Sequence, residues 1–140
     1  ETGLNAALCG HFDVPVVMVS GDQSVCAEAN EWLHGPELAV VKKAHGRNTA
    51  ECLPLELAHQ MIREASLRAI SRFRADQANP PLKYTGPVQI VVEFLYTDMA
   101  DRAALAPGAQ RVDGRKVQIS GENMPAAYNA FRTLVLMASR

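Results

Sequence analysis

Carboxylates and histidines are the side chains of this 140-residue sequence that could bind a metal ion or move a proton. Metal sites built on a single element use close pairs such as HxH or HExxH. The histidines form no such pair, and no two are one helical turn apart; they are His11, His34, His45 and His59. Glu1 is a carboxylate at the start of a predicted helix, and Asn5 lies four residues on along the same flank. By themselves these residues do not make a catalytic centre.

Nucleophile and phosphate motifs are equally incomplete. The sequence has no GxSxG elbow and shows no cysteine–histidine pair. The segment SGDQS (20–24) follows a predicted strand and precedes a predicted helix, where open α/β sheets bind ligands. It lacks the GxGxxG spacing of a dinucleotide site. Two interpretations stay open: an anion- or nucleotide-binding loop, or a plain loop in which Asp22 caps the helix.

Basic residues occur in two places. Lys42, Lys43 and Arg47 lie near the carboxyl end of the second predicted strand, where they could bind a substrate or form a solvated edge. Four further arginines lie along one predicted helix and are interleaved with glutamates, which favours a solvated face; they are Arg63, Arg68, Arg72 and Arg74.

The composition excludes some classes of partner. The formal charge is −1 and no block of like charge occurs, so we expect neither nucleic acid nor an anionic membrane as the main partner. The apolar runs are too short to span a bilayer. Cys9, Cys26 and Cys52 are widely spaced and odd in number, as in a reducing compartment. We therefore expect a cytoplasmic protein.

The elements that must position these residues begin with a βαβ unit. Apolar residues at helical spacing predict a helix over 4–12, which Asp13 and Pro15 end. VVMVS (16–20) is apolar on both faces, as in a parallel strand. A helix over 22–33 and a strand over 38–44 complete the crossover.

The rest of the sequence predicts a helix that opens at Pro54, a half-buried strand over 88–96 and a short helix near 98–105. Asp113-Gly114 predicts a hairpin with a type I′ turn. A last helix starts near Pro125. The fold class is α/β: one domain with a βαβ unit leading into a mixed sheet flanked by helices, plus the hairpin and the last helix.

Several stretches together resemble the carboxyl-terminal half of the D-aminopeptidase family of zinc metallopeptidases; they are ETGLNAALCGHFDVPVVMVSGD, VCAEA, AVVKKAHGRNTAECLP and MPAAYNAFRTLVLMA. The resemblance implies an enzyme that releases N-terminal residues, preferably D-amino acids, from small peptides at a two-zinc centre. The family motif E-x-G-x-N-A carries a metal-ligand glutamate, which matches Glu1. The other ligands and a catalytic histidine precede this stretch in the family, and none of the four histidines here matches them.

The resemblance also implies roles and partners. Residues 1–140 would be the carboxyl-terminal region of a larger enzyme whose amino-terminal metal-binding half is absent, so we expect no catalytic residue and no bound zinc in this chain. Asn5 would support the ligand Glu1, and Lys42 and Arg47 would bind the peptide. We expect a homo-oligomer or association with the missing half. A small anion- or nucleotide-binding module and an oligomerisation domain remain the alternatives.

Overall fold

The computed structural model describes residues 1–139, and the chain divides into two compact units between Lys83 and Tyr84. The first unit contains helices α1 (Thr2–His11), α2 (Gln23–Leu33) and α3 (Leu55–Arg74) and strands β1 (Met18–Asp22), β2 (Glu37–Gly46) and β3 (Thr49–Cys52). The second contains helices α4 (Thr97–Ala103) and α5 (Met124–Ala138) and strands β4 (Val88–Glu93), β5 (Gln110–Arg111) and β6 (Lys116–Gly121). The predicted α/β class is confirmed.

The first unit is built on the predicted βαβ crossover. Strands β1 and β2 are parallel, with Met18 opposite Glu37, and α2 connects them. Strand β3 adds antiparallel to β2, so the sheet has the order β1-β2-β3 and is mixed, as predicted. The core beneath it joins Ala6 of α1 to Ala29 and Leu33 of α2.

Helix α2 begins at Gln23 because Asp22 caps it. The Asp22 carboxylate accepts hydrogen bonds from the amides of Ser24 and Val25, each at 2.9 Å. Gly21 lets the helix approach the strand, since a Cβ built there would lie 2.4 Å from a methyl of Val25. The cap fixes the turn from β1 into α2.

Helix α3 packs on β2 through small residues and an ion-pair cluster. Ala65 and Ala69 are buried in the contact. Glu37 of β2 accepts hydrogen bonds from Arg68 Nε at 2.8 Å and Arg72 Nη1 at 3.2 Å. Arg68 and Arg72 stay on the solvated side of the helix, as predicted, with side chains 55% and 39% exposed, and in addition both bind the sheet.

The second unit has an antiparallel sheet of order β4-β6-β5. Alternation along β4 and β6 places Ile90, Val117 and Ile119 inward, each at most 8% exposed. Helix α5 starts after Asn123, whose side chain accepts from the amide of Ala126 at 3.0 Å. The helix over 124–138 is close to its prediction.

The hairpin at Asp113-Gly114 is confirmed, but its turn type is wrong. Strands β5 and β6 pair antiparallel, with Arg111 opposite Val117. A type I′ turn needs positive φ at both central residues. Neither Asp113 nor Gly114 has one. Instead the Asp113 carboxylate accepts from the amides of Arg115 and Lys116, both at 2.8 Å, so its side chain holds the loop.

Some apolar residues are exposed although their helical spacing in the sequence predicts that they face the core. Leu55 and Phe73 of α3 are 70% and 56% exposed. Trp32 of α2 is 46% exposed, and its ring lies against Gly3 of α1. Val135 of α5 is 41% exposed, while Ala127, two turns before Leu134 on the helix, is fully buried. Small residues fill the inner faces of these helices, which leaves the larger side chains outside.

Candidate functional site

Glu1 stands at the N-cap position of α1 with its side chain 96% exposed. The carboxylate makes no capping hydrogen bond to the helix. Asn5 lies on the next turn, where its backbone N–H donates to the backbone carbonyl of Glu1 at 3.1 Å. Oε1 of Glu28 in α2 is 3.9 Å from the amino nitrogen of Glu1. The Glu1 carboxylate is thus free to bind a group outside α1.

Close packing fixes α1, and with it the position of Glu1. Ala6 and Ala7 are 3% and 2% exposed. A Cβ built on Gly10 would lie 1.9 Å from the carbonyl oxygen of Leu82, so the 75–83 connection runs directly against the helix. Glu1 therefore projects from a helix that is held at both its middle and its end.

The described residues do not fit a zinc centre. A catalytic zinc takes about three protein ligands. Within residues 1–139, no three His, Cys, Asp or Glu side chains are grouped closely enough to hold a metal ion. Glu1 and Glu28 would supply at most two carboxylates. The remaining ligands would have to come from elsewhere, so no chemical step through zinc follows from this chain.

Lys42 and Arg47 are not brought together. Lys42 lies in β2, with Asp22 opposite on one side and Cys52 on the other. Arg47 lies in the turn between β2 and β3, just past the Gly46–Thr49 pair. Four residue steps along the strand lead from Lys42 to Gly46, a span of about 13 Å. Both side chains are exposed, and substrate binding by either stays a prediction.

The SGDQS segment uses its polar groups within the fold. The Asp22 carboxylate already occupies two free amides at the start of α2, where an anion would bind. The Gln23 side chain makes two hydrogen bonds with the backbone of Ala44 in β2: it donates to the carbonyl at 3.0 Å and accepts from the N–H at 2.8 Å. This geometry favours the plain capped loop over an anion site.

The thiols and histidines form no second centre in the described chain. Cys26 is 2% exposed, and burial raises the pKa of its thiol, with the Asp22 carboxylate acting in the same direction. Such a thiol is a poor nucleophile. His45 pairs with Glu51 at 3.5 Å across the exposed β2–β3 hairpin. A cross-strand pair of this kind accounts for His45 without a ligand role.

Sequence reasoning missed two contributors to this region. Glu28 comes near Glu1 only because α1 packs on α2, and no spacing within one element signals that contact. Gln23 belongs to a motif that the sequence singled out, but its bond to Ala44 depends on the pairing of β1 with β2.

The geometry defines an α/β chain in which the exposed carboxylate of Glu1 projects from the start of a packed helix. Residues 1–133 match the family model described as D-aminopeptidase. This chain belongs to that family. Within residues 1–139, no helix is long and apolar enough to cross a membrane.

A curated protein and a solved structure agree with the assignment. The chain is 33% identical over 141 residues to the D-aminopeptidase of Bacillus subtilis (strain 168), covering 100% of this chain and 50% of the relative. It superposes with a TM-score of 0.91 and 30% identity on the structure of the Zn-dependent D-aminopeptidase DppA from Bacillus subtilis, a self-compartmentalizing protease. That match covers 100% of this chain and 50% of the other. The chain therefore spans about half the length of the relatives it matches.

Proposed function

We propose that this chain is the carboxyl-terminal part of a zinc-dependent aminopeptidase that releases N-terminal D-amino acids from small peptides. The match of residues 1–133 to the D-aminopeptidase family carries the proposal. The relative described as Zn-dependent supports the choice of metal. Zinc in such an enzyme lowers the pKa of a bound water and polarises the scissile carbonyl.

Within that enzyme, Glu1 is a zinc ligand and Asn5 supports it from the next turn of α1. The exposure of the Glu1 carboxylate and its freedom from any capping bond support this role. The competing explanation is that Glu1 is an ordinary carboxylate at a helix start. Its interaction with the helix dipole would then stabilise the helix by less than about 1 kcal/mol.

Lys42 and Arg47 are proposed to bind the peptide, each at its own point, because about 13 Å of strand separates Lys42 from the turn that holds Arg47. A cation at either position suits a peptide carboxylate. The enzyme acts as an assembly of copies or of both halves, which the self-compartmentalizing relative supports.

The test is Glu1→Gln in the longer protein read from the gene, including the codons upstream of Glu1. We expect the variant to fold normally and to lose bound zinc and hydrolysis of D-alanine p-nitroanilide together, because glutamine is a poor zinc ligand. Asn5→Ala should lower zinc affinity or activity by about 10–100-fold.

Glu31→Gln, an exposed acidic residue of α2, is the matched control and should keep both zinc and rate. A Glu1→Gln protein that retains its zinc and its turnover would show that the ligand assignment is wrong. A longer wild-type protein with no aminopeptidase activity and no zinc would overturn the proposed function itself.

A further inference from the structure

The outer surface of α3 exposes apolar side chains. Leu67, Ile70 and Phe73 are 59%, 49% and 56% exposed. The side of a surface helix that faces away from the core is normally polar. Here it carries a leucine and an isoleucine one turn apart, which is typical of a helix face that packs against something.

The inner face of α3 already makes the contacts that hold it to the sheet. Ala65 and Ala69 are buried, and Arg68 and Arg72 bind Glu37 of β2. Arg72 also donates to the carbonyl of Gly35 at 3.1 Å. The outer face is therefore not needed to attach the helix to its own unit.

The exposed residues of the outer face follow a regular spacing. One face of the helix, traced in steps of four and three residues, carries two apolar residues between polar ones; its members are Glu56, Gln60, Arg63, Leu67, Ile70 and Arg74. We call these residues the outer stripe; all of them are exposed. The stripe is acidic in the first turn of α3, at Glu56, and basic in the last turn, at Arg74.

We propose that the outer stripe is a contact between two copies of this chain, in which α3 packs antiparallel against α3 of the second copy about a two-fold axis level with Ala65. Antiparallel order places Glu56 of each copy opposite Arg74 of the other, so the pair forms twice. It also places Leu67 of each copy near the axis, beside the aliphatic part of Arg63 from the other.

The charge pattern favours a second copy as the occupant. Within residues 1–139, neither Glu56 nor Arg74 has an ion-pair partner, so both are available. Antiparallel packing also sets the positive end of one helix dipole beside the negative end of the other. A helix that is acidic at its start and basic at its end complements itself in this orientation.

The test measures the mass of the 140-residue chain by analytical ultracentrifugation over a wide concentration range. The wild type should associate reversibly to a dimer. Ile70→Asp should give a monomer, because the antiparallel order places Ile70 of each copy opposite the neutral Gln60 of the other, so the buried carboxylate would have no cation opposite it. The readout is mass alone, so the result does not depend on the proposed peptidase activity.

A charge swap distinguishes self-pairing from any other cover of the stripe. Glu56→Arg or Arg74→Glu alone turns two attractions into two repulsions and should raise the dimer dissociation constant by about tenfold. The double variant carrying both changes should restore the wild-type constant. These residues are exposed, so the far-ultraviolet circular dichroism should stay unchanged.

Leu105→Asp is the matched control, because Leu105 is 74% exposed and lies outside α3; it should leave the dimer intact. A wild-type chain that remains monomeric throughout, or a double swap as weak as either single swap, would overturn the proposal. The proposal would also be overturned if the stripe variants associated to the same mass as the wild type. That result is expected if another segment of a longer protein covers α3.

Discussion

At the scale of single residues, Glu37 connects the sheet to α3 through its carboxylate. Its side chain is 16% exposed and accepts from both Arg68 and Arg72. The hydrogen bond from Arg68 is the main cause that lowers the pKa of Glu37, and Arg72 adds to it against the opposing effect of burial. A lowered pKa in the folded state means that ionised Glu37 stabilises the fold.

The sign of the pH dependence follows from that direction. The stabilisation is fully present above the unfolded pKa of about 4.3, and it is lost as the pH falls through the lower folded pKa. We expect Glu37→Gln to cost about 2 kcal/mol at neutral pH, because both arginines lose a charged acceptor. The difference between variant and wild type should shrink as the pH falls below about 4.

Urea unfolding of both proteins across that pH range measures the effect. Glu93→Gln is the matched control: Glu93 pairs with Arg115 at 2.6 Å but is 50% exposed, so its loss should cost less than about 1 kcal/mol. Equal effects of the two substitutions at neutral pH would contradict the special role of Glu37.

At the scale of elements, helices and the βαβ unit were predictable because apolar periodicity and Asp22 mark them locally. Strand β3 was not, since Thr49–Cys52 is exposed throughout and has no apolar alternation; its pairing with β2 defines it. Nor does periodicity reveal that β4 and β6 form a sheet separate from β1 and β2, because pairing between distant strands leaves no local signal.

Two glycines of the second unit also show that contacts between distant elements leave no local signal in the sequence, and they provide a test. Sequence reasoning singled out Gly114, yet its φ is not positive and a Cβ there would meet nothing within 4 Å. At Gly121 a Cβ would lie 2.2 Å from the amide nitrogen of Ala127, so β6 contacts the backbone of α5. Gly121→Ala should therefore destabilise the fold by about 1–3 kcal/mol or more.

Gly114→Ala is the matched control and should change the stability by less than about 0.5 kcal/mol. Thermal unfolding of both variants compares them directly. If Gly114→Ala lowered the stability while Gly121→Ala left it unchanged, the type I′ turn would be supported and the close contact of β6 with α5 would be contradicted.

At the scale of the whole molecule, the assignment of Glu1 to a metal centre stays a prediction. The lack of histidine pairs was visible in the sequence, and within residues 1–139 the fold assembles no group of three ligand side chains. What the sequence could not predict is which acidic residue approaches Glu1. Glu28 does so through the packing of α1 on α2, two helices separated by a strand.

The last prediction concerns the 140-residue chain by itself. We expect it to bind no stoichiometric zinc and to leave D-alanine p-nitroanilide intact, because Glu1 and Glu28 provide at most two of the roughly three protein ligands that a catalytic zinc needs. Metal analysis after dialysis and the p-nitroanilide assay test the two parts. The companion test mixes the chain with the half of the Bacillus subtilis relative that it does not match; we expect any zinc that the mixture binds to be lost on Glu1→Gln. Zinc retained by the chain without that half, together with turnover, would mean that the active centre lies within these residues.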